Sequence, residues 1–333
     1  MPETLARPLR ILTWHVHGNY LYYLTQVPHE FHVVIRPEGG PGYAPLGPGL
    51  PWGRNVHEVS ADKVRDMRFD CVLYQSKQAY LEDREQLLSA AQRQLPQIYL
   101  EHDPPQLHPT NTVHWFQEPR GTLVHVTPFN ALMWDSGCTP MRVVEHGVRL
   151  PPDVEYQGTT PRGIVVVNHL KRRGRRLGAD VFDALRARVP LDLAGMDAQS
   201  LGGLGEVPNL ELPALMARYR FFFNPIRYTS LGLAVVEAMM AGVPVVGLAT
   251  TEMSTVIENG VNGYVDTRLD CLADVMHELL ADPELARAWG QEARLRALQR
   301  FGIDRFVRDW MDVFAQATRT AAEHVDQPEE MSS

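Results

Sequence analysis

The stretch from Phe221 to Asp266, FFFNPIRYTSLGLAVVEAMMAGVPVVGLATTEMSTVIENGVNGYVD, limits what this chain can fold into more than any other. Phe221 to Phe223 is an unbroken apolar run, the mark of a strand buried on both faces. Asn224, Pro225 and the RYTS segment end it with turn residues. Leu233, Val236 and Met240 then recur at helical spacing until Gly242 stops the helix. Pro244 opens a second apolar run, Val245 to Ala249. The order strand, loop, helix, strand is a βαβ unit. Its loop and helix start lie at the carboxyl end of a parallel strand, where open α/β sheets bind ligands.

Glu237 is out of character with its neighbours Ala234, Val235, Val236, Ala238 and Met239. A carboxylate in so apolar a helix is rarely fully buried without a partner. Two readings stand. It faces water, or it accepts hydrogen bonds from a ligand's hydroxyls, as the acidic residue of a dinucleotide-binding fold does with a ribose.

Further residues give the segment a family likeness. Pro225, Gly232, Leu233, Glu237, Ala238, Met239, Gly242, Pro244, Val245 and Val246 fall in one order and spacing, followed by Glu252 or Thr255, Ile257, Gly260, Asn262, Gly263 and Val265. This resembles the carboxyl-terminal signature of glycosyltransferase family 4, also called glycosyl transferases group 1, which are nucleotide-sugar-dependent retaining transferases. The likeness is strong from about 163 to 266 and weaker, in the right order, elsewhere. It implies the GT-B fold: an α/β chain with two Rossmann-like parallel-sheet domains facing across a cleft. It makes Glu237 the second Glu of the family's Glu-x7-Glu motif. The first is missing, because Thr229 stands eight residues earlier. The implied donor-sugar contacts are Thr229, Ser230, Gly232 and Leu233.

Composition agrees with a chain of this size and kind. At 333 residues it exceeds one ordinary core, so two domains are expected. The likeness sets them at 1–155 and 156–302, with a last helix over about 303–325 packing back on the first and a disordered tail over 326–333. A net charge of −8 argues against general nucleic-acid binding. Cys71, Cys138 and Cys271 form no C-x-x-C pair and point to a reducing compartment. The start MPETLARPLR lacks a signal-peptide core, and no apolar run nears the ~20 residues of a membrane span. A cytoplasmic protein is expected.

In the amino-terminal half, apolar runs predict strands at Leu9 to His15, Phe31 to Pro37, Val56 to Val59, Cys71 to Gln75, Gln97 to Leu100, Leu123 to Thr127 and Met141 to Val144. Tyr80 to Leu95 reads as one helix, and residues 37–53, dense in Pro and Gly, as a solvated loop in preference to an acceptor lid. The first strand exits into HVHGNY, where Gly18 and Asn19 take the place of the family's glycine-rich loop. His15 and His17 would share one face of a strand but lack a third ligand, so no metal site is expected. The strand ending at Leu100 delivers His102 and Asp103 to the sheet's carboxyl edge. A His capped by its own Asp in a Pro-rich turn is the bland reading. The resemblance implies instead a catalytic role for His102 and Asp103 toward donor sugar or acceptor. His146-Gly147-Val148 matches the family's Asn-Gly-Val before the linker.

In the other half, Gly163 to Val167 is an all-apolar strand that ends in NHLKRRGRRLG. Five of the six residues from 171 to 176 are basic, in an acidic chain. Cations at a strand-to-helix junction suit a diphosphate, although a basic face for RNA or anionic lipid is the rival reading. The family's phosphate-holding Gly-Arg-Leu and Lys-Gly map onto Asn168-His169-Leu170 and Arg173-Gly174, one residue out of register, so Lys171, Arg175 or Arg176 could take the role instead. The segment near residues 207–212 would meet the base. Asp270 to Leu298 reads as two helices broken at Asp282-Pro283, and Phe306, Trp310, Val313, Phe314 and Ala317 form one stripe of the last helix.

The resemblance therefore implies transfer of a sugar from a nucleoside diphosphate sugar, with retention, to a glycan, a lipid-linked or another hydroxyl acceptor. Membrane association would be peripheral, through the acceptor. With no Asp-x-Asp triplet in the chain, neither a metal nor a cofactor is expected beyond the donor itself. Two alternatives share the fold: a degenerate homologue that binds without turnover, and a nucleotide-sugar epimerase. A dinucleotide oxidoreductase is disfavoured, since no G-x-G-x-x-G follows the first strand.

Overall fold

The computed structural model describes residues 7–325, with side chains to 319, so the expected tail over 326–333 lies outside them. The chain divides into two compact units, one running to Glu145 and resuming at Asp304, the other His146–Ile303.

The first unit is built on β1 (Arg10–Trp14), β2 (Glu30–Ile35), β3 (Val56–Ser60), β4 (Cys71–Tyr74), β5 (Gln97–Glu101), β6 (Thr122–His125) and β7 (Met141–Val143). All pair parallel, in the order β3-β2-β1-β4-β5-β6-β7. β4 and β5 are buried along their whole length, which is why β4 reads as an unbroken apolar run and β5 carries one over residues 98–100. The chain leaves β1 for β2 and β3, then returns to β4 on β1's other side, so the strand order reverses between β1 and β4. The core below packs aromatic rings, with Trp14 and Tyr74 stacked at 5.5 Å and Tyr80 edge-on to Phe116 at 5.0 Å. The helix Ile303–Val325 belongs to this unit from Asp304 on. Phe306, Trp310 and Phe314 are fully buried, and Trp310 Nε1 donates to the Tyr20 hydroxyl at 3.2 Å.

The second unit carries β8 (Thr160–Val166), β9 (Leu191–Ala194), β10 (Tyr219–Asn224), β11 (Val245–Leu248) and β12 (Gly263–Asp266). This sheet is also all parallel, in the order β12-β11-β10-β8-β9, and it reverses between β8 and β10. A Cβ at Gly163 would lie 2.2 Å from the Phe221 ring, so β8 must carry glycine where β10 packs its phenylalanine. The helices Leu269–Ala281 and Pro283–Phe301 meet at Asp282, whose carboxylate caps the second by accepting from the Glu284 and Leu285 N–H groups at 3.0 Å. The fold is the expected α/β architecture of two parallel-sheet domains.

Three local expectations fail. Tyr80 to Leu95 is not one helix: a π turn at Ala79–Asp83 runs into a short helix at Arg84–Leu87, the chain extends at Leu88, and a 3₁₀ turn follows at Gln92–Gln94. The cause is Gln92. Its buried amide donates to the Val64 and Met67 carbonyls at 2.7 and 2.8 Å and accepts from the Ser89 N–H at 2.8 Å. These side-chain bonds compete with the helix ladder. The first strand also stops at Trp14, and His17 caps a new helix, Gly18–Leu24. His15 and His17 therefore share no strand face. The loop over 37–53 is not wholly solvated either. Tyr43 is buried beneath the Arg36 guanidinium, 3.9 Å from its ring centre. Among the described residues, no helix is long and apolar enough to cross a membrane.

Candidate functional site

In the second unit the expected donor residues gather at the carboxyl edge of β8 and β10, the adjacent strands between which the order reverses. Loops leaving a sheet on opposite sides open a crevice at such a point. After β8, Asn168 accepts from the Met196 N–H at 2.8 Å, and the His169 N–H donates to the Met196 carbonyl at 2.8 Å. This clasp holds His169 at φ 53, ψ 38, a left-handed conformation uncommon outside glycine. A single helical turn, Leu170–Arg173, and a 3₁₀ turn, Gly174–Leu177, carry the basic side chains. Lys171 is exposed, while Arg173 and Arg176 are half-buried.

Arg175 is already spoken for. It pairs with Asp180 at 2.6 Å, and Arg227 grips the same carboxylate at 2.5 Å. The Arg227 and Tyr228 N–H groups both donate to the Arg176 carbonyl, at 3.0 and 3.2 Å. The basic turn and the start of the signature loop are thus fastened to each other through backbone. Gly178 makes this possible: it sits at φ +81, and a Cβ there would lie 1.9 Å from the Pro225 carbonyl oxygen.

Thr229 and Ser230 are half-buried in the loop after β10. Leu231 is buried, and its carbonyl accepts from His146 Nε2–H at 2.6 Å. Gly232 caps the helix Leu233–Met240 in extended conformation with open space where a Cβ would stand. Glu237 does not face water: it is 3 % exposed, on a helix with five other buried residues. Leu233 is half-buried at that helix's start. In the tail, Asn262 accepts from the Glu258 N–H at 2.8 Å and donates to the Val256 carbonyl at 3.2 Å, so it shapes the turn before β12. Glu252 is buried and pairs with Arg300 at 3.0 Å. The segment 207–212 spends some of its amides internally, since the Glu211 and Leu212 N–H groups both donate to the Pro208 carbonyl, at 2.9 and 3.0 Å.

In the first unit the reversal lies between β1 and β4, with β5 beside β4. Gly18 and Asn19 follow β1, Gln75 follows β4, and His102 and Asp103 follow β5. Gly18 begins a helix close to His15, whose Nε2 would be 3.2 Å from an added Cβ. The Asn19 side-chain oxygen is buried without a hydrogen-bond partner among the described residues. The His102 ring meets His17 and Tyr20 edge-on, with centroids 4.3 and 4.8 Å away, and its Nε2 lies 3.2 Å from Gln75 Oε1. The turn behind it is clamped. Asn130 donates to the His102 carbonyl at 3.2 Å, Trp134 Nε1 to the Asp103 carbonyl at 2.8 Å, and the Asp103 N–H to Glu101 Oε1 at 2.9 Å.

Glu101 lies beneath this turn. Its other oxygen is 3.1 Å from His114 Nε2, and His114 Nδ1 accepts from the Phe116 N–H at 3.0 Å. Neutral His114 must therefore carry its proton on Nε2 and donate to Glu101. Burial pushes the Glu101 carboxyl up to about 8, opposed by the backbone N–H bonds it accepts, and burial drives His114 down to about 3. Among the described residues no group of three or more His, Cys, Asp or Glu side chains could hold a metal ion.

Sequence reasoning passed over Gln75 and Arg227. Each is a polar residue one to three positions beyond a strand's last residue. That placement is a signal, but which strand exits adjoin depends on a strand order the chain does not spell out.

Comparison with known proteins adds a family match over part of the chain. Residues 200–296 match the family described as glycosyl transferases group 1. A D-inositol 3-phosphate glycosyltransferase of Xylanimonas cellulosilytica is 39% identical over 102 residues, which are 28% of this chain and 23% of that protein. The chain thus matches about a quarter of that curated relative's length. Among solved structures, the Anabaena protein HepE in complex with UDP and glucose superposes with a TM-score of 0.66 at 14% identity, covering 92% of this chain and 99% of HepE. Sucrose-phosphate synthase from Thermosynechococcus elongatus gives 0.65 at 14% identity, covering 93% and 99%. Over residues 200–296 the chain is similar to glycosyl transferases group 1, and it carries that segment on the GT-B fold.

Proposed function

We propose that the chain is a retaining glycosyltransferase that moves a sugar from a nucleoside diphosphate sugar to a hydroxyl acceptor, on a glycan or a lipid-linked carrier. The observation that carries the reading is Glu237, a carboxylate 3 % exposed in an apolar helix of the family segment. That helix follows β10 at the point where the strand order reverses. In this reading Glu237 accepts hydrogen bonds from the ribose hydroxyls. The turn His169–Arg176 beside it takes the diphosphate through Lys171, Arg173 and Arg176. As the diphosphate leaves, the sugar becomes oxocarbenium-like, and cations already fixed on the leaving group lower that barrier. Charge compensation by these side chains makes a divalent ion unnecessary, so turnover persists in chelator. His102 and Asp103 serve the sugar or the acceptor. HepE was solved with UDP and glucose, which puts UDP-glucose first in a donor panel of UDP-, GDP-, ADP- and dTDP-sugars.

The test is Glu237→Gln, which keeps size and removes charge. Affinity for the donor's nucleoside diphosphate falls by ~1.5–3 kcal/mol, the worth of a hydrogen bond to a charged group. Unchanged affinity by calorimetric titration sinks the ribose role. Thr229 favours a second reading, since it stands where the family has its first carboxylate. A homologue that binds without turnover would release no free sugar from the donor in the absence of acceptor, whereas an active one hydrolyses it slowly.

A further inference from the structure

We infer that Gln75 is a positioning residue that holds His102 as its Nε2–H tautomer and so makes Nδ1 the ring nitrogen that accepts. A buried chain of hydrogen bonds lies at the β1–β4 reversal. The Thr13 hydroxyl donates to the Leu73 carbonyl at 2.9 Å, so its oxygen is left to accept. Gln75 Nε2 donates to that oxygen at 3.0 Å and to the Trp14 carbonyl at 3.1 Å. Both amide hydrogens are thereby used on acceptors that cannot donate back, and the amide cannot turn over. Its other atom facing His102 is an oxygen, and an oxygen there can only accept. His102 Nε2, 3.2 Å away, must therefore bring the hydrogen. In the neutral ring that leaves Nδ1 with the lone pair.

The chain is built to last. Thr13 is fully buried and Gln75 is 4 % exposed, so breaking any link leaves a desolvated polar group. Glu101 does not compete for the ring, since its oxygens are held by the Asp103 N–H and by His114. The β1–β4 register sets the spacing, because Thr13 stands opposite Leu73. The direction of the chain thus begins at a backbone carbonyl and ends at the ring.

The chemical consequence rests on the glycosyltransferase reading. A substrate hydroxyl bound by His102 in its resting form binds as a donor to Nδ1. A proton moving from that hydroxyl is received at Nδ1, while Nε2–H remains on Gln75, and the resulting imidazolium keeps both N–H groups bonded.

The experiment is a long-range ¹H–¹⁵N correlation spectrum of imidazole-labelled full-length protein above neutral pH, with His102 assigned by its loss in His102→Gln. The wild-type ring is expected to give a pyrrole-type Nε2 and a pyridine-type Nδ1. Gln75→Leu, close in volume but without the oxygen, is expected to shift His102 toward a tautomer mixture and to lower kcat by at least ~10-fold with donor KM unchanged, a modest share of what general acid–base groups contribute. Thr13→Val leaves the amide tied to the Trp14 carbonyl and is expected to keep the wild-type pattern. A wild-type ring protonated at Nδ1 overturns the assignment without recourse to any variant, and so does an unchanged Nε2–H pattern in folded Gln75→Leu. If the tautomer behaves as expected but no nucleotide sugar is bound or turned over, the proposed function fails while the role of Gln75 stands.

Discussion

His146 ties down the loop after β10 through its bond to Leu231, and replacing it by leucine measures how much of the proposed donor site depends on that bond. The Nε2–H donates to the Leu231 carbonyl at 2.6 Å, with the two residues 4 % and 2 % exposed. His146→Leu keeps most of the volume and removes the donor, so a desolvated carbonyl is left unsatisfied. That costs ~1–3 kcal/mol. In a unit of this size each kcal/mol moves the melting temperature by ~2–4 °C, so the second unit should melt roughly 2–12 °C lower. The Leu231 carbonyl sits two residues before the helix that carries Glu237. A ligand must then re-order the loosened loop, and part of the lost energy reappears as weaker donor binding, up to ~100-fold at ~1.4 kcal/mol per decade. Scanning calorimetry with and without the donor, paired with titration calorimetry, separates the two effects. His146→Gln, whose amide reaches nearly as far, should restore much of both. If the leucine variant melts like the wild type, the bond is worth nothing. If it melts early but binds the donor normally, the loop's order is not what the donor site requires.

Within the basic turn the structure ranks the cations. Arg173→Ala and Arg176→Ala should weaken nucleoside diphosphate affinity and slow turnover, whereas Arg175→Ala, whose guanidinium is held by Asp180, should change binding least; equal effects in titration calorimetry would refute the ranking. The Glu101 carboxyl has a native pKa of about 8, above its unfolded value, so the native state holds the extra proton between roughly pH 4.5 and 8. Stability therefore falls as pH rises through that window, and Glu101→Gln should show a flatter melting-temperature profile from pH 5 to 9; parallel profiles would mean that the group titrates alike in both states. Thr229→Ala should impair turnover less than His102→Ala in steady-state kinetics, and the reverse order would transfer the role to the threonine hydroxyl.

The parallel strands were legible in the sequence because strands buried on both faces carry apolar runs, and β4 does so throughout while β5 and β10 do so over residues 98–100 and 221–223. Glu237 was legible as an anomaly, a charge among Ala, Val and Met, although its burial was left open until the helix was oriented. What the sequence hid were choices between competing partners. Nothing in the pattern from Tyr80 to Leu95 announces that Gln92 will bond the carbonyls of residues 64 and 67 rather than let a helix pass. KRRGRR reads as five equivalent cations, and only the meeting of Arg175, Asp180 and Arg227 withdraws one of them. Gln75 escaped notice for the same reason: β1 and β4 are neighbours in the sheet but stand some 60 residues apart in the chain, as the Thr13–Leu73 bond does.

The return of the chain at Asp304 has a consequence for synthesis. Domains ordinarily fold one after another as they leave the ribosome, amino-terminal first. Here the first unit's core includes Phe306, Trp310 and Phe314, which pack on Tyr20, His29 and Phe31. That unit's sheet is translated early but keeps an apolar face uncovered until those residues emerge. The second unit, wholly encoded between, can close first. The nascent protein is then a finished carboxyl-terminal unit trailing an unfinished amino-terminal one, and it is during that interval that a chaperone has something to hold.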